Sequence, residues 1–258
     1  MIANYHTHTA RCHHARGTEE EYVKCAIESG LKILGFSDHT PYWFAGEYYS
    51  RMRMFRHELK EYVQTVKGLQ GKYADKIQIL LGVECEYYPS YFAETVRHLR
   101  SAGIDYMIQG QHWIGDEQNE PYCGKVTDSE TVLRRFVNQT IDGMKTGLFT
   151  YLAHPDLLPY AGEDEVYERH MRRLCKAAKK LDIPLEINLL GFRAGRNYPD
   201  TRFWKLAGEA GCKVLLGCDA HTPEDFLDKT AIEKAMELVR KYDLTLLETI
   251  PLKNIGTV

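Results

Sequence analysis

The sequence has no run of eighteen or so apolar residues, so nothing in it predicts a membrane-spanning helix. Its seven cysteines (12, 25, 85, 123, 175, 212 and 218) include no Cys-x-x-Cys pair, which argues against a zinc ribbon or a disulfide framework and leaves reduced thiols. Lys and Arg form no dense block and the net charge is -3, which disfavours an extended nucleic-acid surface but not a small anionic substrate. The start, Met-Ile-Ala-Asn-Tyr-His, lacks a basic stretch followed by an apolar one, and a cytoplasmic location is the expectation. No linker-like stretch interrupts the chain, so one domain is expected over residues 1–258.

What is present is ordinary in composition and unusual in placement. Hydrophobic residues make up 44% of the 258 and charged residues 27%, enough apolar surface for a sizeable core. Short apolar runs alternate with segments of helical period from one end to the other. Strands are predicted at 2–8, 32–37, 77–84, 106–111, 150–153, 184–188 and 213–217, and helices at 18–30, 52–69, 92–101, 129–146, 165–181, 201–210 and 223–241. The first helix opens on Thr18-Glu19-Glu20-Glu21, a capping-box pattern, and the third closes on Gly103. Residues 191–197 read as a loop, and 244–250 as the only candidate for an eighth strand.

Strands separated by helices must run parallel, because each helical crossover returns the chain to the same edge. The expected fold is therefore α/β, a closed or nearly closed (β/α)7 TIM-like barrel, with a doubly wound sheet as the alternative. The barrel is favoured by the polar residues at the strand ends: His6 and His8, Asp38 and His39, Glu84, His112, His154, and Asp219 with His221. In a barrel these ends converge on one mouth.

His6 and His8 are two apart on a strand, so both imidazoles point to one face and can share a metal ion; Asp219 and His221 repeat that spacing. Asp38 can accept the free ring hydrogen of His39 or orient a neighbour. Glu84 ends the apolar run Ile-Leu-Leu-Gly-Val-Glu, where an unpaired carboxylate would be costly and a bridging role between metals would offset the cost. Glu86, on the same face, is a weaker ligand candidate and more simply a loop carboxylate, and Cys12, Cys85 and Cys218 read as packing residues. Taken singly, His112 and His154 are more simply structural; together the candidates exceed the three or four ligands of one zinc ion and predict a multinuclear site. Arg193, then Arg196, in the loop after the sixth strand are the candidate anion-binding residues. The aromatic cluster Tyr42, Trp43, Phe44, Tyr48 and Tyr49 either walls the pocket or packs on the barrel, packing being the simpler reading.

His6-Thr7-His8 with Cys12-His13-His14-Ala15, then Gly35-Phe36-Ser37-Asp38-His39, Glu84, His112, His154 and Asp219-Ala220-His221 resemble, in order and over nearly the whole chain, the PHP family, named for polymerase and histidinol phosphatase. The resemblance implies a distorted seven-stranded barrel with three divalent ions, zinc, manganese or iron. It implies that His6, His8, Glu84 and Asp219 hold one ion, that Glu84 bridges to a second held by His112 and His154, and that His14, His39 and His221 hold the third, with His13 the alternative to His14. The implied reaction is hydrolysis of a small phosphate monoester, foremost L-histidinol phosphate in histidine biosynthesis, by a hydroxide shared between the ions. Asp219 or His221 would assist the leaving group and Arg193 would bind phosphate. Residues 154–160 contain no Lys or Arg, so fewer cations hold the phosphate or the ester is a different one. An amidohydrolase, a noncatalytic metal-binding domain and a nuclease are the competing readings.

Overall fold

The computed structural model describes residues 1–119 and 121–256. Among the described residues, eight strands form one curled, all-parallel sheet in chain order: β1 (Ala3–Asn4), β2 (Ile33–His39), β3 (Gln78–Cys85), β4 (Tyr106–Gln109), β5 (Phe149–Leu152), β6 (Leu185–Asn188), β7 (Lys213–Gly217) and β8 (Thr245–Leu246). The helices are α1 (Glu19–Glu28), α2 (Leu59–Lys72), α3 (Phe92–Ala102), α4 (Glu130–Lys145), α5 (Asp164–Leu181), α6 (Leu189–Ala194), α7 (Thr201–Glu209) and α8 (Lys229–Lys241). Local chemistry sets their ends: Glu21 N donates to Thr18 Oγ1 while Thr18 N donates to Glu21 Oε2, and Gly103 closes α3 in the left-handed region at φ 79°.

The expectation of seven strands is corrected to eight. Thr245 and Leu246 pair with Lys213 and Val214, along the free edge of β7 at the base of the sheet. That edge is open because β1 is only two residues long. Asn4 explains the shortness: its amide donates to His6 O and Thr7 Oγ1 and its Oδ1 accepts from Cys218 N, so side-chain bonds replace ladder bonds. The chain then runs to the mouth, where Thr7 bridges to Ala220 and His8 N donates to Ala220 O at 2.9 Å. The two ends of the curled sheet therefore touch where the candidate ligands lie.

Three further boundaries differ from expectation. Residues 191–197 begin inside a helix, α6, capped by Asn188, whose Oδ1 accepts from Gly191 N. The predicted 52–69 helix starts later, after a 3-10 turn at Arg56–Glu58, because residues 52–55 carry Arg53 into the interior. The last helix is interrupted at Asp228, which caps α8 through Ala231 N.

Inside the curl, Tyr5, Tyr106, Tyr151, Ile108, Ala153 and Leu215 pack into a floor beneath the mouth. A Cβ at Gly35 would lie 2.2 Å from the Tyr106 hydroxyl and one at Gly82 2.3 Å from its ring, so the two glycines make room for that tyrosine. Outside, one apolar belt joins α1, α2 and α3 to β2 and β3, and another joins α4, α5, α7 and α8 to β6 and β7.

Candidate metal centre

The strand-end residues come together above the tyrosine floor. Glu84, at the end of β3, is fully buried and divides the cluster: Oε1 lies 2.8 Å from His154 Nε2 and 3.6 Å from His112 Nε2. Its Oε2 lies 3.0 Å from His39 Nδ1 and 3.6 Å from the Nε2 atoms of His6 and His8. Asp219 Oδ1 is 3.1 Å from His8 Nε2, and 3.5 Å from both His6 Nε2 and His221 Nδ1. His14, His39 and His221 bring one nitrogen each within 4.8 Å of one another. All nine candidate ligands are thus in one cluster. His13 is not among them; its ring packs 4.6 Å from Phe55.

The donor set fits metal ions. His154 Nδ1 is buried without a partner, and Glu84 Oε2, His39 Nδ1 and Asp219 Oδ1, although 3.0 Å or 3.1 Å from a neighbour in the ion pairs above, form no well-aligned hydrogen bond, a costly state for buried polar atoms. Burial pushes the imidazoles of His14, His39 and His221 down, His39 to about 3, and His8 adds to the effect in each case. Neutral imidazole is the form that holds a metal. Burial would raise Glu84 and Asp219, but the surrounding histidines hold both carboxyls well below their usual range. Burial also opposes protonation of His6, yet Glu186, Asp219 and Glu84 outweigh it and lift that imidazole to about 10. So many carboxylates share this space that a cation is favoured among them.

A second ring of residues aims the first. Glu186, on β6, accepts from His6 Nδ1 at 2.8 Å and from His154 N at 3.1 Å. Asn188 donates to Glu186 Oε2 and Asp219 Oδ2, both at 3.0 Å, and leaves Asp219 Oδ1 for the site. Asp38 orients His8, not His39: its Oδ1 is 3.4 Å from His8 Nδ1, and its Oδ2 is held by Thr9. Glu86 is no loop carboxylate. It is fully buried, lies 3.0 Å from His112 Nδ1, and is clamped by Arg53, itself paired with Glu117. Such contacts fix the tautomer of a ligand imidazole. Two glycines create the space: a Cβ at Gly110 would fall 1.8 Å from Glu84 Oε1, and one at Gly217 1.7 Å from Glu186 Oε1.

Glu186 was missed in the sequence, although its signal was the one that pointed to Glu84, a lone carboxylate in an apolar strand, Leu-Glu-Ile-Asn. The arginines are also redistributed. Arg196 lines the cavity, with Nη1 2.9 Å from the Tyr198 hydroxyl. Arg193 is not among the lining residues: it donates to Cys218 O at 2.7 Å and pairs with Asp225. Asp225 in turn accepts from the backbone of His221 and Thr222. Tyr42, Phe44, Tyr48 and Tyr49 line a separate cavity beside Arg53, and Trp43 stacks on His98 at 3.9 Å, so that cluster does not wall the metal cavity. Cys85 meets Tyr42 and Cys218 meets Arg193, both packed away; Cys12 lies closer in, its thiol within 4.8 Å of nitrogens of His8 and His221.

A curled parallel α/β sheet with His, Asp and Glu gathered at its carboxyl-terminal mouth defines a metal-binding barrel of the TIM-like kind. The PHP domain profile matches residues 4–189, and the chain belongs to that family. Among curated relatives, a "probable histidinol-phosphatase" of Deinococcus radiodurans is 28% identical over 86% of this chain and 87% of its own length. A histidinol-phosphatase of Lactococcus lactis is 28% identical over 92% and 90%. The crystal structure of the Lactococcus lactis histidinol phosphate phosphatase with zinc, L-histidinol and phosphate superposes with a TM-score of 0.74 at 23% identity, covering 96% of each chain.

Proposed function

We propose that this chain is a PHP phosphomonoesterase of one domain, residues 1–258, that hydrolyses L-histidinol phosphate to L-histidinol and phosphate in histidine biosynthesis. The observation that carries the reading is Glu84, a buried carboxylate with one oxygen turned to His112 and His154 and the other to His6, His8 and His39. In this reading His6, His8, Glu84 and Asp219 would hold one divalent ion, Glu84, His112 and His154 a second, and His14, His39 and His221 a third, as zinc, manganese or iron. Such ions supply water activation and neutralise phosphoryl charge.

The chain's own residues do the rest. Arg196, at the wall of a cavity of about 370 Å³, offers its guanidinium fork to two phosphoryl oxygens. Arg193 acts as a positioning residue, because its bonds to Cys218 O and Asp225 hold the segment that carries Asp219 and His221. Asp219 or His221, both carried on that segment, would assist the leaving oxygen, either by passing it a proton or through the ion they would hold. Among the described residues no helix is long and apolar enough to cross a membrane, consistent with the cytoplasmic location we propose.

Phosphate release from L-histidinol phosphate, measured beside sugar and nucleotide phosphates, tests the reading. Arg196→Ala should lower kcat/KM about ten- to a hundredfold, the worth of a charged hydrogen bond to phosphate. No release from L-histidinol phosphate by metal-loaded protein would remove the substrate assignment.

A further inference from the structure

Residues 154–160 open on the candidate ligand His154 and hold no Lys or Arg, so a phosphoryl group at this edge of the mouth draws its cation from another segment. The turn holds a carboxyl group instead. Asp156 is 1% exposed, and no cationic side chain pairs with it among the described residues; its Oδ2 accepts from Asp200 N at 2.6 Å and from the indole Nε1 of Trp204 at 2.9 Å. A carboxyl group buried against two neutral donors costs more than an apolar side chain would in that place. Its presence calls for a role beyond packing.

Both donors lie just beyond the segment that carries Arg196 and Tyr198, which line the same cavity as His154. A further bond runs beside them: Asn197 Nδ2 donates to Leu157 O at 2.9 Å. Arg196 itself is exposed and follows Gly195 in the left-handed region at φ 60°, a place where the backbone has little else to hold it. On its other side Arg196 N donates to Gly191 O at 3.0 Å, and a Cβ at Gly191 would meet Tyr198 O at 2.1 Å, so the segment lies flat on α6. Tyr198 is buried and its hydroxyl accepts from Arg196 Nη1 at 2.9 Å, so whatever fixes Tyr198 also fixes the guanidinium. Residues 196–200 are thus tied to α6 at one end and to the turn after His154 at the other.

Resting on the phosphomonoesterase reading, we infer that Asp156 is a positioning residue for phosphate binding: together with Leu157 O it anchors the segment of Arg196 and Tyr198 to the turn that carries His154. The guanidinium is thereby held at a fixed place relative to the His112 and His154 side of Glu84. The turn that lacks a cation fastens the one that serves it. Because Asp156 acts through Arg196, its removal affects phosphate only where Arg196 is present.

The test is calorimetric binding of inorganic phosphate to the metal-loaded protein, with metal per chain measured beside it and kcat and KM determined for L-histidinol phosphate. Asp156→Ala should weaken phosphate binding and raise KM about tenfold, as a misplaced binding group does, with metal content unchanged. Asp156→Asn, whose Oδ1 can accept both bonds, should bind phosphate as the wild type does. In an Arg196→Ala background, Asp156→Ala should have no further effect on phosphate, whereas a loss of general stability would add. Asn197→Ala, at an exposed position, serves as the second variant should Asp156→Ala not fold, and its smaller loss should vanish in the same background. Unchanged phosphate affinity in both variants, losses that add to that of Arg196→Ala, metal lost together with phosphate, or a wild type that binds no phosphate overturns the inference. A protein that releases nothing from L-histidinol phosphate yet shows the non-additive loss of phosphate binding would uphold the tie and sink the substrate reading, so the two fail separately.

Discussion

Glu84 depends on an atom that is absent. Gly110 faces its carboxylate so closely that any side chain there would occupy the position of Oε1. Gly110→Ala should displace Glu84 while leaving the strand ladders in place, and the overpacking should cost about 1–3 kcal/mol of stability. We expect bound metal per chain and phosphatase activity both to fall at least about tenfold, as for changes around other metal ligands. Metal analysis of the folded variant checks this; unchanged metal content would mean that Glu84 does not bridge. At this scale the sequence was informative wherever a charged or imidazole side chain closed an apolar run, as with His6, Glu84, His154 and Asp219. It was silent on which way a side chain turns. Arg193 and Arg196 are three apart on either side of the end of α6, and only the placement of that helix and its Gly195 cap decides which one reaches the cavity.

Between elements, the tail of β3 is stapled to two loops through Arg53. Its guanidinium bonds Glu86 after β3, Glu117 after β4 and Thr40 O after β2, with all three side chains buried. Burial alone would raise the Glu86 carboxyl, but Arg53, with help from His112, holds it at about 2. A carboxyl depressed by folding stabilises the native state above its unfolded pKa, and that contribution is lost as pH falls from about 4.5 towards 2. The melting temperature of the wild type should therefore fall more steeply between pH 5 and 3 than that of Glu86→Gln, which has no proton to take up there. Parallel curves for the two proteins would show that the staple does not contribute. Elements with a strong local signal were legible: the capping box of α1, the Gly103 stop of α3 and the apolar cores of β3 and β7 lie within a residue or so of expectation. Those decided by distant partners were not. β1 is cut short by Asn4 bonding across to Cys218, just past β7, and α2 begins only after the 3-10 turn at Arg56–Glu58 because Arg53 is drawn inward.

For the whole molecule, the number of strands depends on a difference between its two ends. At the base, β8 occupies the free edge of β7; at the mouth, Thr7 and Ala220 meet directly. The register of Lys213 with Thr245 is a long-range pairing that a two-residue strand cannot announce by periodicity. The convergence of the strand ends was legible because alternating strands and helices force parallel order, and parallel order puts every carboxyl end at one mouth. The walls of the cavity were not, since Trp113, Tyr122 and Tyr198 come from irregular segments with no motif.

The central claim is that this mouth is a hydrolytic metal centre. The most direct measurement is the initial rate of phosphate release from L-histidinol phosphate as a function of metal bound per chain, in protein stripped by chelator and refilled stepwise with zinc or manganese. We predict no release from stripped protein and a rate that rises with occupancy until the site is filled, with Glu84→Gln inactive at every metal concentration. A rate that survives complete removal of metal, or one that is the same in Glu84→Gln, would contradict the account.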